Sequence, residues 1–155
     1  MEILQQVWGS TPEGEAIVLY TIRNSKGCEV QLCNIGASIV SVKVPDRDGK
    51  IDESCFRDGL HPIDDVVLGY KDPMSYFGDG AASGKSVGRV ANRIARGRMT
   101  IEGVEYRLEI NNGVNHLHGG SKGFANRVWE SRVETNRVVF SLVSADGDQN
   151  YPGEV

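Results

Sequence analysis

The chain has 155 residues, of which 39% are hydrophobic and 25% charged, and its formal net charge is −4. That length suits one ordinary domain spanning residues 1–155, able to bury a core without metal or disulfide staples. The acidic balance and the lack of a Lys/Arg run argue against a nucleic-acid partner, and no apolar stretch approaches the roughly 20 residues needed to cross a bilayer.

The N-terminal MEILQQVWG carries Glu2 where a secretory leader would be basic and has no sustained apolar segment, so a cytoplasmic location is expected. AIVLYTIRN and CEVQLCNIG alternate with period two around Ser25-Lys26-Gly27 and read as a β-hairpin. Cys28, Cys33 and Cys55 are odd in number and form no CxxC, so they read as reduced thiols, with Cys28 and Cys33 on opposite faces of a strand. In SIVSVKVP the valines Val40, Val42 and Val44 are expected on one face, ended by Pro45 and the turn residues DRDG. Ile51 to Ile63, which includes His61, lacks alternation and reads as a surface loop. Asp64 and Asp65 then cap the solvated end of an expected buried strand in DVVLGY.

Phe77 to Ser86, FGDGAASGKS, invites comparison with the phosphate-loop motif GxxxxGK[ST], but Asp79 stands where the glycine is needed, and a carboxylate there repels phosphate. Gly78, Gly80 and Gly84 likewise miss GxGxxG by one position, so a flexible, solvated loop is expected. RMTI and VEYRLEI form the next hairpin across Glu102-Gly103, with Val104, Tyr106, Leu108 and Ile110 inward. VWESRVE and RVVFSLVS form another, turning near Thr135-Asn136. Trp8 and Trp129 read as core or interface residues rather than stacking platforms. Short strands at this spacing predict an all-β, antiparallel sandwich or barrel.

Two blocks carry the chemistry. GRVANRIARG and NHLHGG combine Asn92 and Arg93, which can donate hydrogen bonds to hydroxyl oxygens, with His118, which can move a proton near neutral pH beside glycines that admit a ligand. A small polyhydroxylated ligand suits that set. His116 and His118 are two apart, and in an extended segment both would point to one side, but no third metal ligand stands nearby, so no metal site is expected. His116 and His61 default to surface residues. Without further context Arg93 would read as part of a solvated face with Arg96 and Arg98.

These blocks, together with VEYRLEINNG, LCNIGASIVSVKVPDRDGK, DDVVLGY, GFANRVWE and DGDQNYPGEV, resemble the aldose 1-epimerase (galactose mutarotase) family over nearly the whole chain. The resemblance implies the antiparallel β-sandwich of the galactose mutarotase type, a catalytic role for His118, and contacts from Asn92 and Arg93 to sugar hydroxyls. Its implied reaction exchanges the α and β anomers of a free aldose such as galactose or glucose. A base takes the proton of the anomeric hydroxyl, an acid protonates the ring oxygen, the opened aldehyde rotates about C1–C2, and the ring closes on its other face. No cofactor is implied. Ile51–Ile63 and Phe77–Ser86 look like insertions relative to the family pattern.

In that family two histidines and a glutamate base do this work, and only the first histidine maps here, as His118; Glu130 and Glu154 match neither other group. Family members run to roughly twice this length, so the chain is expected to be an N-terminal portion that alone lacks part of the catalytic set. Alternatives are an epimerase-like protein that binds sugar or a partner without catalysis, and a sugar-phosphate mutarotase using Arg96 and Arg98. Exposed strand edges make self-association, for instance as a homodimer, an expectation as well.

Overall fold

A computed structural model describes residues 1–45 and 63–155. His61, Cys55 and the predicted loop from Ile51 onward lie outside the described residues, apart from Ile63 at its end. The described residues form antiparallel β-structure: β1 Glu2–Ser10, β2 Ala16–Arg23, β3 Glu29–Cys33, β4 Ser38–Pro45, β5 Ile63–Asp65, β6 Arg93–Ile94, β7 Arg98–Ile101, β8 Val104–Arg107, β9 His116–Leu117, β10 Glu130–Glu134 and β11 Arg137–Ser141. Strands β1 to β5 make one meandering sheet in chain order, and β6–β9, β7–β8 and β10–β11 make separate pairs. No helix among the described residues is long and apolar enough to cross a membrane.

The predicted β2–β3 hairpin is present, and its turn is organised by Asn24. The Asn24 Oδ1 accepts from the amides of Lys26 (2.8 Å) and Cys28 (3.0 Å), the local side-chain turn that makes Asn favourable there. Residues opposite each other across a pair share a face, which sorts the sheet into two sides. On one side Ile17, Leu19, Cys33 and Val40 are buried with Ile35 and with Tyr76, supplied by a 3-10 turn over Pro73–Tyr76. Trp8 packs on this cluster, edge-on to Tyr76 at 5.9 Å. Each aliphatic side chain sequestered there contributes about 1.5–3 kcal/mol.

On the other side Tyr20 meets the β10–β11 hairpin. Its ring lies edge-on to Phe140 at 5.8 Å, and its hydroxyl hydrogen-bonds the Ser131 Oγ at 2.7 Å. Thus the hairpin predicted around Thr135-Asn136 supplies the second layer of the sandwich.

Several expectations need correction. The three valines of β4 do not share a face, because the register shifts between Gln31↔Ser41 and Leu32↔Ile39, leaving Val40 as an inserted residue. Val40 therefore joins the Leu19 side, while Val42 sits opposite Val30 on the Tyr20 side. The β7–β8 hairpin turns at Glu102-Gly103, both with positive φ, as predicted. Its inward face is not buried throughout: Leu108 is buried, but Val104 and Ile110 are exposed. DVVLGY is no buried strand either, since β5 ends at Asp65 and Val66 and Leu68 are exposed. Asp65 instead accepts the amides of Val42 and Val67, each at 3.0 Å.

The glycine- and serine-rich stretch from Phe77 to Ser86 is not a loose loop. The Asp79 carboxylate accepts the amides of Ala81 and Ser83, each at 2.9 Å. Burial pushes this carboxyl up, but those amides and the Tyr70 hydroxyl outweigh burial and hold it below the ordinary aspartate range. Gly84 and Ser86 then bond to Ile39 and Gly36. Backbone amides that a phosphate would require are taken by Asp79 itself, a physical reason for the motif's failure beyond the missing glycine.

Candidate functional site

Strand β6 pairs with β9, with Arg93 opposite Leu117 and Ile94 opposite His116, so the two blocks singled out in the sequence lie side by side. The pairing continues one residue further in an altered form. The His118 amide donates to the Asn92 carbonyl (3.1 Å), and the Asn92 amide donates to the His118 Nδ1 (3.0 Å). Both residues have positive φ, 67° for Asn92 and 54° for His118, which turns them out of the ladder direction. Asn accepts this conformation readily, and His is enriched there among non-glycine residues.

The amide bond fixes the chemistry of the half-buried His118 ring. Since Nδ1 accepts a proton donor, a neutral ring carries its own hydrogen on Nε2 and presents that N–H outward. The Nε2 has no hydrogen-bond partner among the described residues, nor do the terminal guanidinium nitrogens of Arg93. Arg93 is exposed and is oriented through its Nε, which donates to Asn112 Oδ1 at 2.9 Å. Asn92, also exposed, uses its Oδ1 to accept the Arg93 amide at 2.9 Å, leaving its side-chain NH2 outward. Asn92, Arg93 and His118 are thereby adjacent along the β6–β9 pairing, Asn92 bonded both to His118 and to the Arg93 amide.

The supporting residues were not singled out in the sequence. Asn111 embraces Leu117, accepting its amide at 2.7 Å and donating to its carbonyl at 2.9 Å, so it extends the short β9 pairing. Asn115 accepts the Arg96 amide at 3.2 Å. Their signal was the density of asparagine in NNGVN, a composition that favours side-chain capping of backbone groups. Gly119 has φ 84°, and a Cβ on it would stand 1.7 Å from the Gly88 carbonyl oxygen, so glycine is needed where the two blocks touch.

His116 is the main correction at this site. Expected at the surface, it is fully buried, with Nδ1 2.8 Å from the Glu109 carbonyl and Nε2 2.7 Å from the Tyr151 hydroxyl. Its partners are separate from those of His118, which bonds Asn92, and the positive φ of His118 departs from the extended geometry that would align the two rings. Arg89 completes the surroundings: it donates to Ser144 and to the carbonyls of Ala145, Pro152 and Gly153, and lies 5.9 Å over the Tyr151 ring. Burial pushes the Tyr151 hydroxyl above its ordinary value, with Arg89 opposing. Among the described residues no group of His, Cys, Asp or Glu is arranged to hold a metal ion.

A five-stranded antiparallel sheet backed by a hairpin, with these donors on the adjoining loops, defines an all-β sandwich of the galactose mutarotase type, and solved structures agree. The C. elegans aldose epimerase homologue superposes with a TM-score of 0.74 at 31% identity, over 88% of this chain and 38% of that one. A galactose 1-epimerase from Lactobacillus acidophilus superposes with a TM-score of 0.76 over 99% of this chain and 42% of the other; at 24% identity it speaks for the fold alone. The sequence profile of aldose 1-epimerase matches residues 18–155, and the chain belongs to that family. It is 39% identical to the galactose mutarotase of Sus scrofa over 155 residues and 37% identical to the aldose 1-epimerase of Escherichia coli over 154. The chain spans 42% and 41% of the length of those two relatives.

Proposed function

We propose that this chain supplies the sugar-binding side of an aldose 1-epimerase acting on free hexoses such as galactose and glucose, with His118 as a hydrogen-bond donor to the ring oxygen. The observation that carries this reading is the bond from the Asn92 amide to the His118 Nδ1, in a chain that belongs to the family. It leaves Nε2–H as the outward group, suited to hydrogen-bond a ring oxygen as negative charge develops there during ring opening, and ill suited to remove the anomeric proton. Asn92 and Arg93 offer side-chain N–H groups to flanking hydroxyls. The base then has to be another group; among the described residues no second titratable side chain bonds to His118, and His116 is engaged elsewhere.

That last observation supports a second reading, a carbohydrate-binding protein without catalysis. Polarimetry of freshly dissolved α-galactose and α-glucose tests the first reading, run beside a His118→Gln variant and a buffer blank. One hydrogen-bond donor to developing charge contributes typically about 10² to 10³ in rate, about 3–4 kcal/mol. Mutarotation accelerated by the chain and reduced about that much in the variant supports the epimerase reading. Saturable galactose binding without acceleration fits the second reading and equally an epimerase portion that lacks its base. These two are then resolved by whether acceleration appears when the remaining part of the family sequence is supplied. Neither binding nor acceleration refutes both.

A further inference from the structure

The buried His116 has no part in the chemistry proposed for His118, yet the fold commits both of its ring nitrogens. Nδ1 faces a carbonyl oxygen, which can only accept, so Nδ1 carries the hydrogen; in the neutral ring Nε2 therefore accepts from the Tyr151 hydroxyl. Tyr151 is itself seated by Arg89, whose guanidinium lies over its ring and binds the backbone on either side of it. Arg89 and Asn92 belong to the same GRVANR block. That block thus grips the NHLHGG segment twice, directly through the Asn92–His118 bond and indirectly through Arg89, Tyr151 and His116.

Packing around the imidazole is tight. A Cβ on Gly120 would lie 3.3 Å from the His116 Cε1, and the ring stands edge-on to Tyr151 at 5.5 Å between centroids. Only Leu117 separates this anchored ring from His118, and Asn111 holds the Leu117 backbone from both sides. A rotation of His116 would be transmitted to the φ of His118, on which the Asn92–Nδ1 contact depends. We infer that His116 is a positioning residue: with Tyr151 it locks the turn that holds the His118 Nδ1 on the Asn92 amide and so keeps its Nε2–H directed outward. The geometry assigns the two histidines opposite tautomers, Nδ1–H for His116 and Nε2–H for His118. The link to sugar rests on the proposed function; the tautomers do not.

Long-range proton–nitrogen correlation spectra of the chain at about pH 8, where free imidazole is neutral, read both rings directly. The wild type is expected to show the opposite tautomers. His116→Leu fills the site but makes no hydrogen bond, whereas His116→Gln can donate to Glu109 and accept from Tyr151. His118 should therefore lose its single-tautomer signature in the leucine variant and keep it in the glutamine variant. Galactose affinity should fall about tenfold in the first and stay within about twofold in the second, as for one lost positioning bond. A role in packing alone would be met by leucine and would give the reverse.

Should His116→Leu fail to fold, Tyr151→Phe, which keeps the ring under Arg89 and removes only the hydroxyl, carries the same measurement. A folded Leu or Phe variant in which His118 keeps its wild-type tautomer overturns the inference, as does a wild type with both rings in one tautomer. A wild type that binds no galactose but shows opposite tautomers, lost at His118 in the variants, supports positioning and counts against the sugar reading alone.

Discussion

At Gly119 two constraints coincide: a φ of 84° and a Cβ position 1.7 Å from the Gly88 carbonyl oxygen. Backbone offers no flexible end to move aside, so Gly119→Ala must push the two blocks apart or distort the turn after His118. The expected cost is about 3 kcal/mol or more, measured as a shift in urea midpoint at unchanged slope. Gly103 is the contrast. Its φ is 82°, but nothing lies within 4 Å of its Cβ position, so Gly103→Ala should cost only the left-handed backbone penalty of about 1–2 kcal/mol. Equal losses at the two sites would refute the claim that contact between the blocks matters. Asn92, Arg93 and His118 are proposed as site residues on residue type and family resemblance, and what the structure adds is that the two blocks holding them pair side by side. His116 was misread because the residue that buries it, Tyr151, is 35 positions away, a separation that local pattern cannot bridge.

Strands β2, β3 and β4 are tied together by Glu29, whose side chain is 9% exposed and accepts from Arg23 at 2.7 Å and Lys43 at 2.9 Å. Burial pushes this carboxyl up, but Lys43 and Arg23 outweigh it, and the net position is below the ordinary glutamate range. Removing the carboxylate leaves two cations that are already 50% and 40% exposed and can rehydrate, so Glu29→Gln should cost only about 1–2 kcal/mol in thermal or urea unfolding. Asp148 plays a comparable part at the C-terminal segment. Its carboxylate accepts from Arg127 and from Ser144, each at 2.5 Å, and chiefly the Arg127 bond holds it below the ordinary aspartate value.

A carboxyl whose folded value is depressed stabilises the fold above its unfolded value and loses that contribution as pH falls toward the folded one. Stability contributed by Asp148 should therefore be flat above about pH 5 and fall below about pH 4. Asp148→Asn should be less stable at neutral pH and flatter in acid than the parent in pH-dependent melts; parallel curves would refute this. At the scale of elements, the β2–β3, β7–β8 and β10–β11 hairpins were legible, since turn chemistry and alternation agree there. β1 was not. Its burial follows no period-two pattern, and a register shift falls between Val7 and Gly9, so side-chain alternation does not report the pairing. The shift at Val40 defeated the alternation in β4 in the same way.

Across the whole molecule, one edge of the main sheet stands out: among the described residues β1 pairs with β2 alone, and its outer side has no strand beside it. Edge strands in natural proteins are commonly guarded by charge, proline or brevity, yet β1 runs for nine residues, EILQQVWGS, with one charged residue at its start. Leu4 and Val7 are exposed on it, and Leu68 and Val143 are exposed elsewhere. A strand of this length can extend the sheet into a second copy through backbone bonds that require no particular side-chain sequence. The chain alone should therefore exceed its monomer mass of 16.9 kDa in light scattering, increasingly so with concentration. Val7→Lys tests the route. Val7 is 74% exposed, so a lysine costs the fold little, while its charge, repeated across the new pairing, opposes edge-to-edge association. A shift toward monomer in that variant, with an unchanged melting temperature, supports pairing through β1. Association that persists at the parent's level would move the contact to another exposed surface, and a parent that stays monomeric at all concentrations would refute self-association altogether.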